Sequence, residues 1–372
     1  MQIREITLRE IKLPLREVFA ASHGEIRTRR LIIVEMRDEE NRSGWGECAA
    51  LETPGYLPET IDISLIALKN WLAPAIIKMN FSHPKQFAEF IAGIARGFNF
   101  AKASLEMASW DLFAKDREKS LAELFGGTRK KVAVGKVIGL QKSPQILVEK
   151  AIAAVEKGYK RLKIKIMPDA DLAYFHALRS SLGQDVDLAA DANSAYSSAD
   201  FSHLQKFDAF NLSMIEQPLG WNDHFHHAEL QKVLNTPICL DESICSFADC
   251  QTMLAMGSGK IVNIKPGRVG GLVEALKIHD LCVKKDIPVW CGGMLESGIG
   301  RGFNIALASL PGFTLPGDLS PSTNYFRNDI VSPEWQMDES GFIAIPYEKT
   351  GIGCEVNLDY LEKVTVGKFK FK

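Results

Sequence analysis

Apolar residues in the first 50 positions follow a strand-like spacing, beginning with Ile3, Ile6 and Leu8. Turn-forming residues at 38–41 separate the apolar runs, which predicts an antiparallel sheet. From 58 to about 125 the spacing of apolar residues becomes helical. Strands followed by helices are typical of an α+β unit.

From Val132 onward, short apolar runs alternate with helix-length stretches. This alternation predicts parallel strands separated by helices, as in a (β/α) barrel of class α/β. The eight predicted strands span 132–138, 161–166, 186–190, 212–215, 237–240, 261–264, 288–290 and 312–315.

Glycines and prolines mark the expected boundaries of the chain's units. Gly126 and Gly127 end the first unit, and the segment after residue 320 contains three prolines. We expect that last segment to return to the first unit. The predicted division is therefore 1–127, 128–320 and 321–372.

Five charged residues recur at the ends of the predicted strands. Lys165, Asp191, Glu216, Asp241 and Lys265 are separated by 26, 25, 25 and 24 positions. This interval is about one strand–helix unit, so we expect each residue on the same rung of successive strands. Because the C-terminal ends of barrel strands meet at one mouth, three carboxylates should lie together with a lysine on each side.

The three carboxylates predict a metal site. A single acidic residue at a strand end is often a helix cap or an ion-pair partner. Three clustered carboxylates, however, repel one another unless a cation is present. Ligation by oxygen favours a hard ion such as Mg²⁺. We therefore predict that Asp191, Glu216 and Asp241 bind Mg²⁺, for which Mn²⁺ can substitute.

The Lys163-Ile164-Lys165 segment adds two cations to this mouth. Alternation along a strand places both lysines on the same side, and a closed barrel has no free edge where they could be solvated. We expect Asp191 and Glu216 to supply counter-charges. Mutual repulsion and the charge of the metal should lower the pKa of the lysines, giving a neutral base near pH 7.

Overall composition excludes several other classes of protein. The net charge is −2 and the pI is about 6.5, so the chain offers no basic field for nucleic acid or anionic lipid. Seven cysteines are scattered without a Cys-x-x-Cys pair, which favours free thiols in a reducing cytoplasm. Charges within residues 1–5 and the lack of an apolar run of roughly 18–20 residues predict a cytoplasmic protein without a membrane span.

The chain resembles the enolase superfamily, in its muconate-lactonizing-enzyme-like subgroup. The segments that carry the resemblance are 162–165, 191–193, 215–218, 240–243 and 263–266. The resemblance implies a (β/α)7β barrel covered by an α+β capping domain. It also implies a lysine base that works with Mg²⁺ on the proton α to a carboxylate.

Within that subgroup, segments 265–271, 292–301 and 310–318 resemble the family of o-succinylbenzoate synthases and N-succinylamino acid racemases. This resemblance implies dehydration of 2-succinyl-6-hydroxy-2,4-cyclohexadiene-1-carboxylate in menaquinone biosynthesis, with Lys165 as the base and Lys163 stabilising the ene-diolate. Racemisation of N-succinylamino acids and dipeptide epimerisation stay open as alternatives. Lys265 permits racemisation, since that reaction needs a proton donor on each face of the substrate.

Further expectations concern ligands and assembly. We expect a small-molecule carboxylate as substrate, loops at 22–24 and 53–56 that close over the mouth, and a homo-oligomer. Arg268 either depresses the pKa of Lys265 or is a solvated loop residue. One rival class is a metal-dependent hydrolase barrel, but its typical histidine ligands are missing from 132–138. A second is a non-catalytic binding module on a former enzyme fold, in which some of the charged residues should have been lost. The expected substrate contacts are Ser22, Tyr56, Asn193, Gly293, Met294 and Ser297.

Overall fold

The computed structural model describes residues 1–21 and 24–372. Its N-terminal part contains a four-stranded antiparallel sheet, which confirms the predicted sheet. One edge strand of this sheet comes from the C-terminal segment and pairs with the first strand of the chain. The strands, in spatial order, are Thr365–Phe371, Ile3–Ala21, Gly24–Asp38 and Ser43–Cys48.

Helices cover one face of this sheet. The longest, Asn99–Asp116, is buried along nearly all of its length. It lies so close to the third strand that a Cβ on Gly46 would be 1.9 Å from the Ser104 carbonyl oxygen, so only glycine fits there. The helices of this region are Ile61–Ala67, the π-helical Leu68–Leu72, Ala73–Ile76, Pro84–Ile94, Asn99–Asp116 and Leu121–Phe125.

Seven parallel strands form the second sheet, which confirms the predicted α/β barrel class. Its strands are Gly135–Ile138, Arg161–Lys165, Leu188–Asp191, Met214–Glu216, Ile238–Leu240, Ile261–Ile264 and Val289–Cys291. Its α-helices are Pro144–Glu156, Leu172–Leu182, Phe201–Leu204, His224–Val233, Phe247–Met256, Pro266–Val269, Leu272–Lys284 and Gly298–Ala308. No helix in the described part of the chain has the length and apolar composition needed to cross a membrane.

The predicted eighth strand at 312–315 is not a regular strand. Phe313 makes an isolated parallel bridge to Val289, and Gly317 makes another to Val134. The segment therefore connects the last and first parts of the sheet through a few backbone hydrogen bonds. Pro316 has no amide hydrogen, which explains why a continuous ladder does not form there.

The predicted first strand is also divided. Lys131–Ala133 pairs antiparallel with Phe342–Ala344, and only Gly135–Ile138 belongs to the barrel. The remaining elements of the chain are short. They are the 3₁₀ segments Ser198–Asp200, Gln205–Phe210 and Ser322–Asn324, the strand pair Val331–Ser332 with Glu355–Val356, and the helix Leu358–Val364.

Side chains fill the interior of the barrel below its mouth. A compact apolar group there contains Ala189, Met214, Cys239, Ile261 and Trp290. Such a packed interior supports a site above it and leaves no channel through the barrel.

Two buried glutamates of the N-terminal unit attach it to barrel helices. Glu106 accepts hydrogen bonds from Trp110 Nε1 and, across the interface, from the Val273 amide at 2.7 Å. Glu47 accepts from the Ser297 and Gly300 amides, each at 3.0 Å. Each carboxylate therefore lies at the N-terminal end of a helix, where the helix dipole favours negative charge.

Burial raises the pKa of Glu106 to about 7, from an ordinary value of 4.5. Between these two pH values the folded protein keeps a proton that the unfolded chain releases, so this contribution to stability is lost as pH rises towards 7. We expect Glu106→Gln to reduce the loss of unfolding free energy between pH 5 and pH 8 by up to about 3 kcal/mol. Urea unfolding at both pH values measures this effect.

The exposed Glu89 provides the matched control. Glu89→Gln should keep the pH dependence of the unmodified protein. An identical pH dependence in Glu106→Gln would show that Glu106 is ionised in the folded state at both pH values.

Candidate active site

The candidate site residues reach the barrel mouth from strands that are staggered. Asp191 pairs in register with Glu216, but Glu216 then pairs with Cys239, two residues before Asp241. Lys265 lies a further two residues along the next strand. The expectation of a single shared rung is therefore wrong beyond Glu216. Barrel strands tilt and shear, so residues progressively further along each strand arrive at the same mouth.

Lys163 lies at the centre of the carboxylates. Its Nζ is 2.9 Å from Asp191 Oδ2, 2.8 Å from Glu216 Oε2 and 2.7 Å from Asp318 Oδ2. Burial by itself would lower the pKa of Lys163, but attraction by these carboxylates outweighs burial and raises the pKa well above its usual value. The expected lowering of its pKa invoked the charge of a bound metal ion as well, and it stays a prediction for the metal-bound site. Here the surrounding carboxylates hold Lys163 as a cation.

Lys165 lies two residues after Lys163 on the same strand. Its Nζ donates to Asp191 Oδ2 at 2.7 Å and to Asn193 Oδ1 at 2.5 Å. Asn193 in turn donates to Glu242 Oε1 at 2.9 Å. The backbone of Asn193 has a positive φ of 43°, a conformation that asparagine tolerates better than most residues. This turn holds the asparagine amide against the lysine.

Lys265 lies on the other side of the mouth and contacts both units of the chain. Its Nζ donates to Asp241 Oδ2 at 2.8 Å and to the hydroxyl of Tyr56 at 3.0 Å. That hydroxyl donates to Asp241 Oδ1 at 3.0 Å. Arg268 is fully buried and also donates to Asp241 Oδ1. The solvated alternative for Arg268 is therefore excluded.

The ionisation of the carboxylates follows their partners. Burial together with the charge of Asp191 raises the pKa of Glu216 to about 7. Asp241 is equally buried, but attraction by Lys265 and Arg268 outweighs burial and lowers its pKa to about 2. Because Asp191 and Asp241 both repel the charge of Glu216, the three carboxylates share one electrostatic environment in which an added cation would be favourable.

The donor atoms of the site suit a divalent cation. Asp191, Glu216 and Asp241 are fully buried and offer oxygen atoms alone, which suits a hard ion. Among the described residues, Glu242 Oε2 and Asn263 Oδ1 are buried acceptors without a donor. No three acidic, cysteine or histidine side chains of residues 1–21 and 24–372 converge as a ready ligand set, because ammonium groups lie between the carboxylates. The donor chemistry fits Mg²⁺, and a bound ion would replace some of these lysine contacts.

A cavity of about 70 Å³ opens above these residues. Among the expected catalytic residues, Lys163, Lys165 and Lys265 line it. The expected substrate contacts divide into three groups. Tyr56, Asn193, Gly293 and Met294 also line the cavity. Ser297 is buried and its hydroxyl donates to Glu47, outside the described cavity lining. Ser22 lies outside the described residues.

Sequence reasoning missed Asp318 and Glu242 as members of the site. Asp318 stands 53 positions after Lys265, which is about twice the 24–26-residue spacing of the charged residues at the strand ends. Extending this regular spacing past Lys265 would have predicted Asp318 as a site residue. Glu242 follows Asp241 directly, and no spacing signal distinguishes it from a surface glutamate.

A parallel barrel with lysines and carboxylates at its mouth, covered by an α+β unit, defines an enolase-type architecture. Two family models match the chain. The mandelate racemase / muconate lactonizing enzyme N-terminal domain matches residues 3–126, and the enolase C-terminal domain-like family matches residues 147–360. The chain belongs to the enolase superfamily, in its mandelate racemase and muconate lactonizing enzyme group.

Individual relatives span nearly the whole chain. An o-succinylbenzoate synthase of Bacillus subtilis is 46% identical over 98% of this chain and 96% of its own length. An N-succinylamino acid racemase of Thermus thermophilus is 38% identical over 98% of each chain. The crystal structure of an enolase superfamily member from Listeria innocua is 39% identical, covers 100% of this chain and 99% of its own, and has a TM-score of 0.95.

Gly292 provides a test of the site's packing. A Cβ at this position would be 2.2 Å from Asn263 Oδ1 and 2.6 Å from Lys265 Cε. Gly292→Ala should displace Lys265, and a displacement of about 1 Å costs on the order of 10²-fold in activity. Steady-state kinetics measures the loss, and circular dichroism verifies folding.

Gly220→Ala is the matched control, because its nearest atom would be 3.7 Å away. It should keep full activity. If Gly292→Ala also kept full activity, the position of Lys265 would not depend on this contact.

Proposed function

We propose that this protein is an o-succinylbenzoate synthase, which dehydrates 2-succinyl-6-hydroxy-2,4-cyclohexadiene-1-carboxylate in menaquinone biosynthesis. The observation that carries the proposal is the position of Lys165. Its side chain lines the cavity, and its Nζ is held by hydrogen bonds to Asp191 and Asn193. The similarity to the Bacillus subtilis o-succinylbenzoate synthase over nearly the full chain supports the choice of substrate.

In the proposed mechanism, Lys165 in its neutral form removes the proton α to the substrate carboxylate. Its contacts to Asp191 and Asn193 fix its Nζ at the wall of the cavity. Lys163, held as a cation by its carboxylate partners, stabilises the negative charge that develops on the substrate carboxylate. The proton held by Lys165 can then leave with the β-hydroxyl group as water, which completes the elimination on one face.

Asp191, Glu216 and Asp241 would hold Mg²⁺, with Mn²⁺ as a substitute. Bound there, the ion would supply Lewis-acid stabilisation of the same charge. The buried position of these carboxylates and their shared negative charge support this assignment.

Racemisation of N-succinylamino acids is the second candidate, and Lys265 is the observation that favours it. Lys265 lines the same cavity as Lys165 but is attached to a different strand and paired with Asp241. Two lysines on opposite faces of the α-carbon would allow proton removal on one face and proton return on the other. The racemase relative of Thermus thermophilus supports this candidate. Dipeptide epimerisation is a further alternative within the group.

Direct comparison of the two substrates tests the proposal. We expect dehydration to be lost in excess chelator and restored by Mg²⁺, and Asp241→Asn to abolish it, because an amide cannot replace an anionic ligand. Asp280→Asn, at an exposed helix position, is the control and should keep full activity. Absence of dehydration, or full activity in chelator, would contradict the substrate or the metal assignment respectively.

Isotope exchange can distinguish the roles of Lys165 and Lys265. We expect Lys265→Arg to stop deuterium uptake from one enantiomer of an N-succinylamino acid and to spare uptake from the other, because arginine keeps the charge but cannot act as a base. Dehydration should suffer less from Lys265→Arg than from Lys165→Arg, since one face suffices for elimination. NMR measures the exchange for each enantiomer. Equal loss of every activity in both variants would contradict the two-face arrangement.

Assembly and location complete the proposal. The substrate is a small-molecule carboxylate, held by the cations of the cavity. Homo-oligomeric assembly, a cytoplasmic location and the division of the chain at 127/128 and 320/321 stay predictions.

A further inference from the structure

A second cavity, of about 320 Å³, adjoins the catalytic cavity. It lies between the end of the Ile3–Ala21 strand, the first barrel strand and the helix Pro144–Glu156. Phe19, Val137 and Tyr325 belong to the walls of both cavities. These three side chains therefore form a partition between the two spaces.

Lys136 is the cation at the wall of this second cavity. Its neighbour Val137 pairs with Lys163 and lines the catalytic cavity, so alternation along the strand turns Lys136 to the outer face. Lys136 is half-buried, and its Nζ lies 5.7 Å from the ring centroids of both Tyr159 and Tyr325. Lysine is rarely buried without a charged partner, and none of the described carboxylates forms an ion pair with it.

The charge around the cavity is positive. Lys150 and Lys157 also line it, and Glu17 is the one carboxylate among the described lining residues. Glu17 is 79% exposed and is paired with Lys150 at 3.1 Å. Burial and repulsion by Lys157 and Lys150 lower the pKa of Lys136, and attraction by the exposed Glu17 offsets them only in part. A negatively charged ligand group in the cavity would supply a closer counter-charge.

The walls favour a carboxylate over a phosphate. Apolar side chains such as Leu15, Val18 and Ile138 form much of the surface, which suits a short hydrocarbon chain. Helix Pro144–Glu156 presents its C-terminal end, whose partial negative charge opposes two negative charges on a single group more than the single charge of one carboxylate group. The described lining contains no arginine for bidentate phosphate binding. We propose that this space, the Lys136 cavity, binds a carboxylate carried on a short apolar chain, with Lys136 as its cationic contact.

Two sources can supply that carboxylate. The catalytic cavity of about 70 Å³ is far smaller than the roughly 300 Å³ of ordinary small-molecule sites, so a ring with a side chain needs more space. In the first case, which rests on the proposed function, the succinyl arm of the substrate passes the partition and ends at Lys136. In the second case, a separate short dicarboxylate occupies the Lys136 cavity.

Calorimetric titration of the full chain with succinate tests the site without any assay of activity. Lys136→Met should weaken succinate binding at least tenfold, and Lys136→Arg should stay within threefold of the unmodified protein. Lys142→Met, at an exposed lysine outside the cavity lining, is the matched control and should bind normally. Tighter binding of inorganic phosphate than of succinate would overturn the carboxylate assignment.

Steady-state kinetics of dehydration then distinguishes the succinyl arm of the substrate from a separate dicarboxylate as the ligand of the Lys136 cavity. If the substrate arm reaches the cavity, Lys136→Met should raise KM at least tenfold with kcat within threefold, and succinate should compete with substrate. If the ligand is separate, KM should stay constant while succinate binding is lost. If neither succinate binding nor KM changes in Lys136→Met, the site is overturned. A protein that binds succinate through Lys136 but dehydrates nothing would contradict the proposed function and leave the site intact.

Discussion

The structure of the active site depends on the pairing of buried opposite charges at the barrel mouth. Lys163 is bonded to three carboxylates, and Lys265 and Arg268 both contact Asp241. Removing one member of such a network leaves a buried charge without a partner, which is far more costly than the net value of any one pair. The lysines that the proposed chemistry uses are thus also the groups that make burial of the carboxylates possible.

This network gives similar residues different electrostatic environments. Lys163 has a raised pKa because carboxylates surround it, which suits its proposed role as a cation. Lys165 has one carboxylate and one amide as partners. The same contrast separates Glu216, with a raised pKa, from Asp241, with a lowered one. In each pair the two members differ in the number of opposite charges nearby.

The N-terminal unit covers the site and also contributes side chains to it. Tyr56 bonds both Lys265 and Asp241 across the two units. Glu47 holds the start of the helix that follows the Gly293–Met294 loop, and Arg29 donates to the Met294 carbonyl at 3.2 Å. Because these contacts are buried and polar, a small shift of the unit would leave several of them unsatisfied. The part of the N-terminal unit that covers the catalytic cavity is therefore held firmly in position.

The sequence by itself determined the barrel class, the antiparallel sheet and the ladder of charged residues, because hydrophobic period and strand–helix spacing are local properties of the chain. It did not determine that Glu216 and Asp241 lie on different rungs, since strand shear is set by closure of the whole barrel. Nor did it determine that Asp318 contacts Lys163, that Tyr56 contacts Asp241, or that Lys136 lines a cavity with no ion-pair partner among the described residues. These features bring together residues that are distant in the chain, and only tertiary packing decides which distant groups meet and how their charges are balanced.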